Sequence, residues 1–591
     1  KDMKRSEIDK KYLWSLEDVY ADDDAWEKDY KEAEKQVSFP LKYKGQLSDK
    51  KKLLEFLKAS DELEIKLEKL YSYARMRLDQ DSSDNHYAAL ADRGEALLIK
   101  YSSFGSFVNP ELCAADESYI KSLLQDAAFA DYDYMLKGIL RKKSYTLGEN
   151  EERLLSAAQS PLSMFKTAFG KIDNVDVSLG SVRVNGKRVK LTHGTYSQLL
   201  QNPDQNVRKA AFNTYYKGYE QLLNTIAAVY AGSVKSDVFM ARARGYKDCL
   251  SAAMFNENVP ECVYTNLIDS VNENCKYVHE YVAYRKEALG VEKLNMYDMY
   301  VPIVKGAELS LDFEDAFELV KKGLAVLGDE YVALLQKARD ERWMDVYETE
   351  NKRSGAYSWG SYSTKPYVLL NYSATIHDVF TIAHELGHSM HSYYSSHAQP
   401  YSKSGYAIFV AEVASTVNEV LLLKYLLKTT ADKDMRKYLL SYYLDMFRTT
   451  LFRQTMFAEF EKISHDMEQK GKPLTPKALS AEYLKLNKKY YGPAVTHNKP
   501  ISYEWARIPH FYNAFYVYKY ATGITSAVNI ANGILNDAAN IEKYKKFLSA
   551  GGSDSPYEIL KIAGVDLAEK QPFENAMREF KETLDMLKSE G

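Results

Sequence analysis

Cysteine is scarce in this chain of 591 residues: Cys113, Cys249, Cys262 and Cys275 are the four present, and none forms a CxxC pair. That spacing excludes a disulfide framework and a thiolate metal site, and it suits a reducing compartment. Glycine (28) and proline (15) are also few, so helix interiors meet few breakers. No apolar run reaches the roughly 18–20 residues of a membrane span. Neither sign of charge dominates, since 78 Lys and Arg face 82 Asp and Glu for a net charge of −4. Neither nucleic acid nor an anionic membrane is therefore an implied partner. The charged opening KDMKRSEIDKKY is neither a signal peptide nor an amphipathic transit sequence, and a cytoplasmic location is expected.

What is present points to helices. The chain exceeds the size at which one core keeps growing, so two or more lobes are expected. Lys50–Asp79 carries Leu53, Leu54, Leu57, Leu63, Leu67, Leu70 and Tyr71 near helical period. Tyr87–Phe107 continues in the same style. The first break is VDVSLGSVRVNGKRVKL (residues 175–191), where Asn185-Gly186 between alternating apolar residues predicts a β-hairpin. Helical pattern resumes after Gln201-Asn202-Pro203-Asp204, so residues 1–200 read as an N-terminal helical lobe and 201–591 as a second domain. A second strand-like region, GAYSWGSYSTKPYVLLNYS (355–373), lies directly before the segment that carries the chemistry.

That segment is His384-Glu385-Leu386-Gly387-His388. On a helix, positions i and i+4 share a face. His384 and His388 can then reach one tetrahedral Zn²⁺, with Glu385 beside a metal-bound water. Val379, Phe380, Ala383, Leu386 and Met390 supply the helical spacing. Catalytic zinc usually has three protein ligands and one open position. The metzincin pattern needs Gly at 391 and His at 394, whereas this chain has His391 and Tyr394. The third ligand is therefore sought on a second helix, 407–427 (AIFVAEVASTVNEVLLLKYLL), whose only acidic residues are Glu412 and Glu419. A buried carboxylate needs a partner. Glu412 is expected to bind the metal, and Glu419 either to orient a ligand imidazole or to form a plain buried ion pair.

Tyrosine is abundant at 48 residues, and RIPHFYNAFYVYKYAT (507–522) concentrates His510, Tyr512, Tyr516, Tyr518 and Tyr520. The segment reads either as an aromatic packing helix begun at Pro509 or as a source of donors to developing negative charge. His510 and Tyr512 point roughly 200° apart on an ideal helix, so if both act the segment is not helical there.

GAYSWGSY (355–362), TIAHELGHSMHS (381–392), IFVAEVASTVNE (408–419) and IPHFYNAFYVYKYATG (508–523) together carry a resemblance. The chain resembles the oligoendopeptidase F branch of the thimet-oligopeptidase (M3) family of zinc metallopeptidases. The resemblance implies a mainly α, two-lobed, multi-helical zincin-type fold with a small β-sheet beside the active site and an internal substrate channel. It implies one Zn²⁺ per chain held by His384, His388 and Glu412, with Glu385 as general base and His510 and Tyr512 near the transition-state donors. Short peptides are the implied substrates, cut at internal bonds, and no oligomer is implied. Tyr516, Val368 and Asn371 are taken as substrate-contacting, with strand 368–371 pairing with the peptide backbone. Two other readings stand beside this one. One is a helical HExxH carboxypeptidase using Arg353, Lys365 or Arg507 for a terminal carboxylate. The other is a non-catalytic peptide-binding protein.

Overall fold

The computed structural model describes residues 3–307 and 309–591. Among them α-helix dominates, with 26 α-helices against five short strands. Among the described residues no helix is long and apolar enough to cross a membrane. The chain divides into two compact units, each assembled from separate stretches of sequence. The first comprises Lys1–Thr146, Glu308–Lys428 and Ile530–Val565. The second comprises Leu147–Ala307, Thr429–Asn529 and Asp566–Gly591. The expected division at residue 200 is therefore corrected: the chain crosses between units at 146/147 and then returns. The HExxH segment falls in the same unit as the N-terminus. Periodicity reports which elements form, but not which distant stretches share a core.

In the first unit a long helical hairpin pairs α1 (Lys50–Gln80) with α2 (Asn85–Phe104). Asp49 and Asp84 cap them, each side-chain oxygen accepting backbone N–H groups that lack a helical partner. Leu63, Leu67, Leu70, Tyr73, Leu90 and Leu97 from this hairpin share a core with Trp14, Trp26 and the strand residues Tyr367 and Leu369. The sheet beside them has three strands, β3 (Met344–Asp345), β4 (Tyr357–Trp359) and β5 (Tyr367–Leu369), in the order β3-β5-β4. Strand β5 is parallel to β3 and antiparallel to β4.

The second unit contains the predicted hairpin, β1 (Ser181–Val184) paired with β2 (Lys187–Lys190). Asn185 and Gly186 at its tip have φ 49° and 77°, the left-handed pair that a tight two-residue hairpin turn requires. The unit's interior holds a polar cluster. Glu504 is 2% exposed. It accepts from Arg453 at 2.9 Å, Arg507 at 2.9 Å and Tyr216 at 3.1 Å, and also from Tyr483. These contacts hold its pKa down at about 2 against the opposing effect of burial.

Candidate active site and metal centre

The strand-to-helix connection sets up the site in the first unit. Ala374 takes φ +61°, and α3 (Ile376–Ala398) begins immediately after Thr375. Thr375 and Asp378 form a reciprocal capping box, and Asp378 also accepts from Ser373 Oγ at 2.8 Å. Val379, Phe380, Ala383, Leu386 and Met390 are all buried, so one face of α3 is fixed in the core and the histidines' side is fixed with it.

Helix α4 (Ile408–Thr429) packs across α3 at Gly387. A Cβ at Gly387 would lie 2.6 Å from Ser415 Cα and 2.7 Å from Ala414 O. The glycine of HELGH is therefore required by this crossing. Asn418 Nδ2 donates to Ala383 O at 2.9 Å, and Tyr331 donates to Asn418 Oδ1 at 2.9 Å. These bonds hold α4 in register against the turn that carries the histidines.

The close crossing brings His384, His388 and Glu412 together. His384 Nε2 and His388 Nε2 lie 3.3 Å and 3.4 Å from Glu412 Oε2. One ligand atom from each residue falls within 4.8 Å of the others. Metal–ligand bonds of about 2.0–2.2 Å in a tetrahedron separate ligand atoms by roughly 3.3–3.6 Å, so the donor set fits zinc. His384 Nδ1 donates to Glu419 Oε1, which leaves Nε2 on the side of Glu412. Glu412, expected to be buried, has a side chain 49% exposed, while that of Glu419 is 12% exposed. Burial alone would raise Glu412's pKa, but His384 and His388 beside it hold it far below the usual carboxylate range. Burial also disfavours charge on His384, yet Glu412 and Glu419 outweigh it and push that pKa well up. Glu385 is 8% exposed, and burial raises its pKa.

The matching family model is Peptidase family M3, over residues 198–579. The chain belongs to peptidase family M3. A second model, Oligopeptidase F, matches residues 111–178. The chain is 40% identical to Oligopeptidase PepF of Bacillus subtilis (strain 168), covering 98% of this chain and 87% of that protein. It is 39% identical to Group B oligopeptidase PepB of Streptococcus agalactiae serotype III, covering 98% and 97%. Among solved structures, a peptidase of Chlamydophila abortus superposes with TM-score 0.94 at 36% identity, covering 100% of both chains. Oligoendopeptidase-F from Enterococcus faecium superposes with TM-score 0.74 at 34% identity, covering 96% of this chain and 99% of that one. This M3 chain is a mainly α metalloendopeptidase of the oligoendopeptidase F type.

Two sequence expectations need correcting. Val368 is 0% exposed, and its strand β5 is paired on both sides, Val368 facing Met344 of β3 and Ser358 of β4. It has no free edge to offer a peptide. The outer positions in the sheet belong to β3 and β4, and on β4 Ser358 Oγ meets Ser389 Oγ of α3 at 2.8 Å. Asn371 is engaged through its Nδ2 alone, which donates to Arg353 O at 3.0 Å and Gly355 O at 2.7 Å, while its Oδ1 has no hydrogen-bond partner among the described residues. The strand-like composition of 355–373 was legible in the sequence, but the strand order was not.

The second concerns the aromatic segment of the second unit, for which a packing helix begun at Pro509 was one of two readings. It is not one helix. A 3₁₀ turn, Pro509–Tyr512, is followed by a bend, and helix starts again only at Tyr518, in α6 (Tyr518–Asn536). Tyr512 turns inward, 9% exposed and stacked on Phe169 at 4.3 Å, its hydroxyl without a hydrogen-bond partner among the described residues. His510 is exposed, Tyr516 and Tyr520 are half-buried, and the three rings cluster at 5.7–6.2 Å. Partial desolvation of its ring lowers the pKa of His510, which favours the neutral imidazole, a donor through one N–H.

Proposed function

We propose that this metalloendopeptidase is zinc-dependent, that it hydrolyses internal bonds of short peptides, and that Glu385 is its general base. The observation that carries the reading is the convergence of His384, His388 and Glu412 at zinc-ligand spacing, with Glu385 on the same helical turn. His384, His388 and Glu412 would hold a zinc ion, which would supply Lewis acidity toward the scissile carbonyl and toward a water. Glu385 accepts that water's proton and returns it to the leaving amine. Its burial, which raises its proton affinity, suits a group that must take a proton and then release it. Glu419 keeps His384 in the tautomer that presents Nε2. Donation to the developing oxyanion is assigned to the His510–Tyr520 segment on the family resemblance, and exposure favours His510 and Tyr516 over Tyr512. Short peptides as substrates follow from the relatives, which are named oligopeptidases and oligoendopeptidases.

The carboxypeptidase reading is weaker, because the cations it would use are engaged. Arg353 faces Asp79 at 3.5 Å, Lys365 pairs with Asp18 at 2.5 Å and Arg507 with Glu504 at 2.9 Å. The test uses an internally quenched peptide with free and amidated C-termini, together with zinc content. Glu385→Gln should keep zinc and lose at least about 10²–10⁴-fold in turnover, whereas Glu412→Gln should lose most of the zinc. Normal zinc in Glu412→Gln, or cleavage that requires a free C-terminus, overturns the proposal.

A further inference from the structure

Glu461 lies on α5 (Arg453–Gln469) in the core of the second unit and is 0% exposed. Among the described residues no cation is found beside it. Its Oε2 accepts the backbone N–H of Phe515, and its Oε1 has no hydrogen-bond partner among the described residues. Phe515 sits in the bend between the turn that carries His510 and the start of α6. Its φ is +58°, a left-handed conformation that a bulky side chain rarely adopts and that the surroundings must impose.

Those surroundings are specific. The Phe515 ring lies 4.7 Å from His465 and 5.7 Å from Tyr264. His465 Nδ1 lies 2.7 Å from the carbonyl oxygen of Glu461 itself, and its Nε2 lies 2.8 Å from Asp237 Oδ2. A packed ring and a single buried acceptor thus fix the left-handed residue within the bend at 513–517. Across that bend the rings of His510 and Tyr516 stack, with centroids 6.2 Å apart and planes 21° apart. A buried acidic side chain is an odd choice for this task unless it is held neutral. Burial, reinforced by Asp237, pushes the Glu461 carboxyl well above its usual range against the opposing Phe515 N–H.

We propose that Glu461 is a positioning residue of this peptidase: by holding the Phe515 N–H it sets the bend that brings His510 and Tyr516 together. The proposal rests on the reading that this segment donates to the reaction. Glu461→Ala removes the acceptor, and Glu461→Leu removes it while filling the space, so Leu serves if the Ala protein does not fold. Glu461→Gln keeps a neutral acceptor of the same length. Three quantities are read: zinc content, kcat and KM on the quenched peptide, and amide hydrogen exchange across residues 510–520.

The expected result for Ala or Leu is wild-type zinc, KM within about twofold and kcat lower by about 10- to 100-fold, the scale of a misplaced catalytic group. Exchange across the bend should be faster, and Gln should restore both kcat and protection. Unchanged exchange in Ala and Leu overturns the role given to Glu461. Faster exchange with wild-type kcat shows that Glu461 holds the bend but that the segment does not donate, which overturns the underlying reading instead. Loss of zinc, or failure of Gln to restore kcat, also overturns the proposal.

Discussion

Replacing Glu419 tests whether the metal centre is shaped from outside its own ligands. Its carboxylate accepts His384 Nδ1–H from α4, two helical turns beyond Glu412, and its side chain is 12% exposed. Without it the imidazole can rotate or switch tautomer, and Nε2 no longer faces Glu412 by default. Partners of this kind are worth about 10–100-fold in metal affinity, or roughly 1.4–2.7 kcal/mol at 1.36 kcal/mol per tenfold. Glu419→Ala should fall at the upper end. Glu419→Gln, whose amide oxygen can still accept from Nδ1, should fall at the lower end. The assay is competition for zinc with a calibrated chelator, with helix content followed by circular dichroism. The Asn418–Ala383 and Gly387 contacts between α3 and α4 remain in both variants, so the fold should be retained. Wild-type zinc affinity in Glu419→Ala would refute the reasoning and return Glu419 to a plain buried ion pair.

Two further outcomes are expected. Tyr512→Phe should leave kcat and zinc unchanged, because the hydroxyl is buried without a partner among the described residues, while His510→Ala should lose about 10²–10³-fold in kcat; the reverse pattern on the quenched peptide would show Tyr512 to be the donor. Glu504→Gln should destabilise the protein at neutral pH by about 3 kcal/mol in urea unfolding, since it leaves Arg453 and Arg507 without their buried counter-ion. The folded pKa of Glu504 is depressed to about 2. Its stabilisation is therefore present above the unfolded value of about 4.3 and is lost as pH falls toward 2, so the wild-type advantage should shrink over that window. A gap that holds or widens with acid contradicts this account.

How much of this was legible in the sequence depends on the range of each interaction. The hairpin at Asn185-Gly186 and the helices at 50–80, 376–398 and 408–429 were readable within a few residues, because caps, turns and periodicity act locally. The convergence of His384, His388 and Glu412 was readable for a different reason. Two histidines one turn apart specify a face, and the second helix holds only two acids that could meet it, although Glu412 proves more exposed than its apolar neighbours suggest. The division into units was not readable, since helical periodicity is the same whichever core a helix joins. Strand order was hidden too: β5 looks like an edge or a centre equally well until β3 arrives from residues 344–345. Tyr512 shows the same limit at one residue. Its spacing from His510 meant only that the two could act together off a helix, and Phe169, more than 300 positions away in the chain, decides that it turns inward. Glu461 left no signal at all. An acid in the amphipathic run FAEFEKISHDMEQ is indistinguishable from a solvated one, and only the left-handed Phe515 beside it shows that its position in the core has a use.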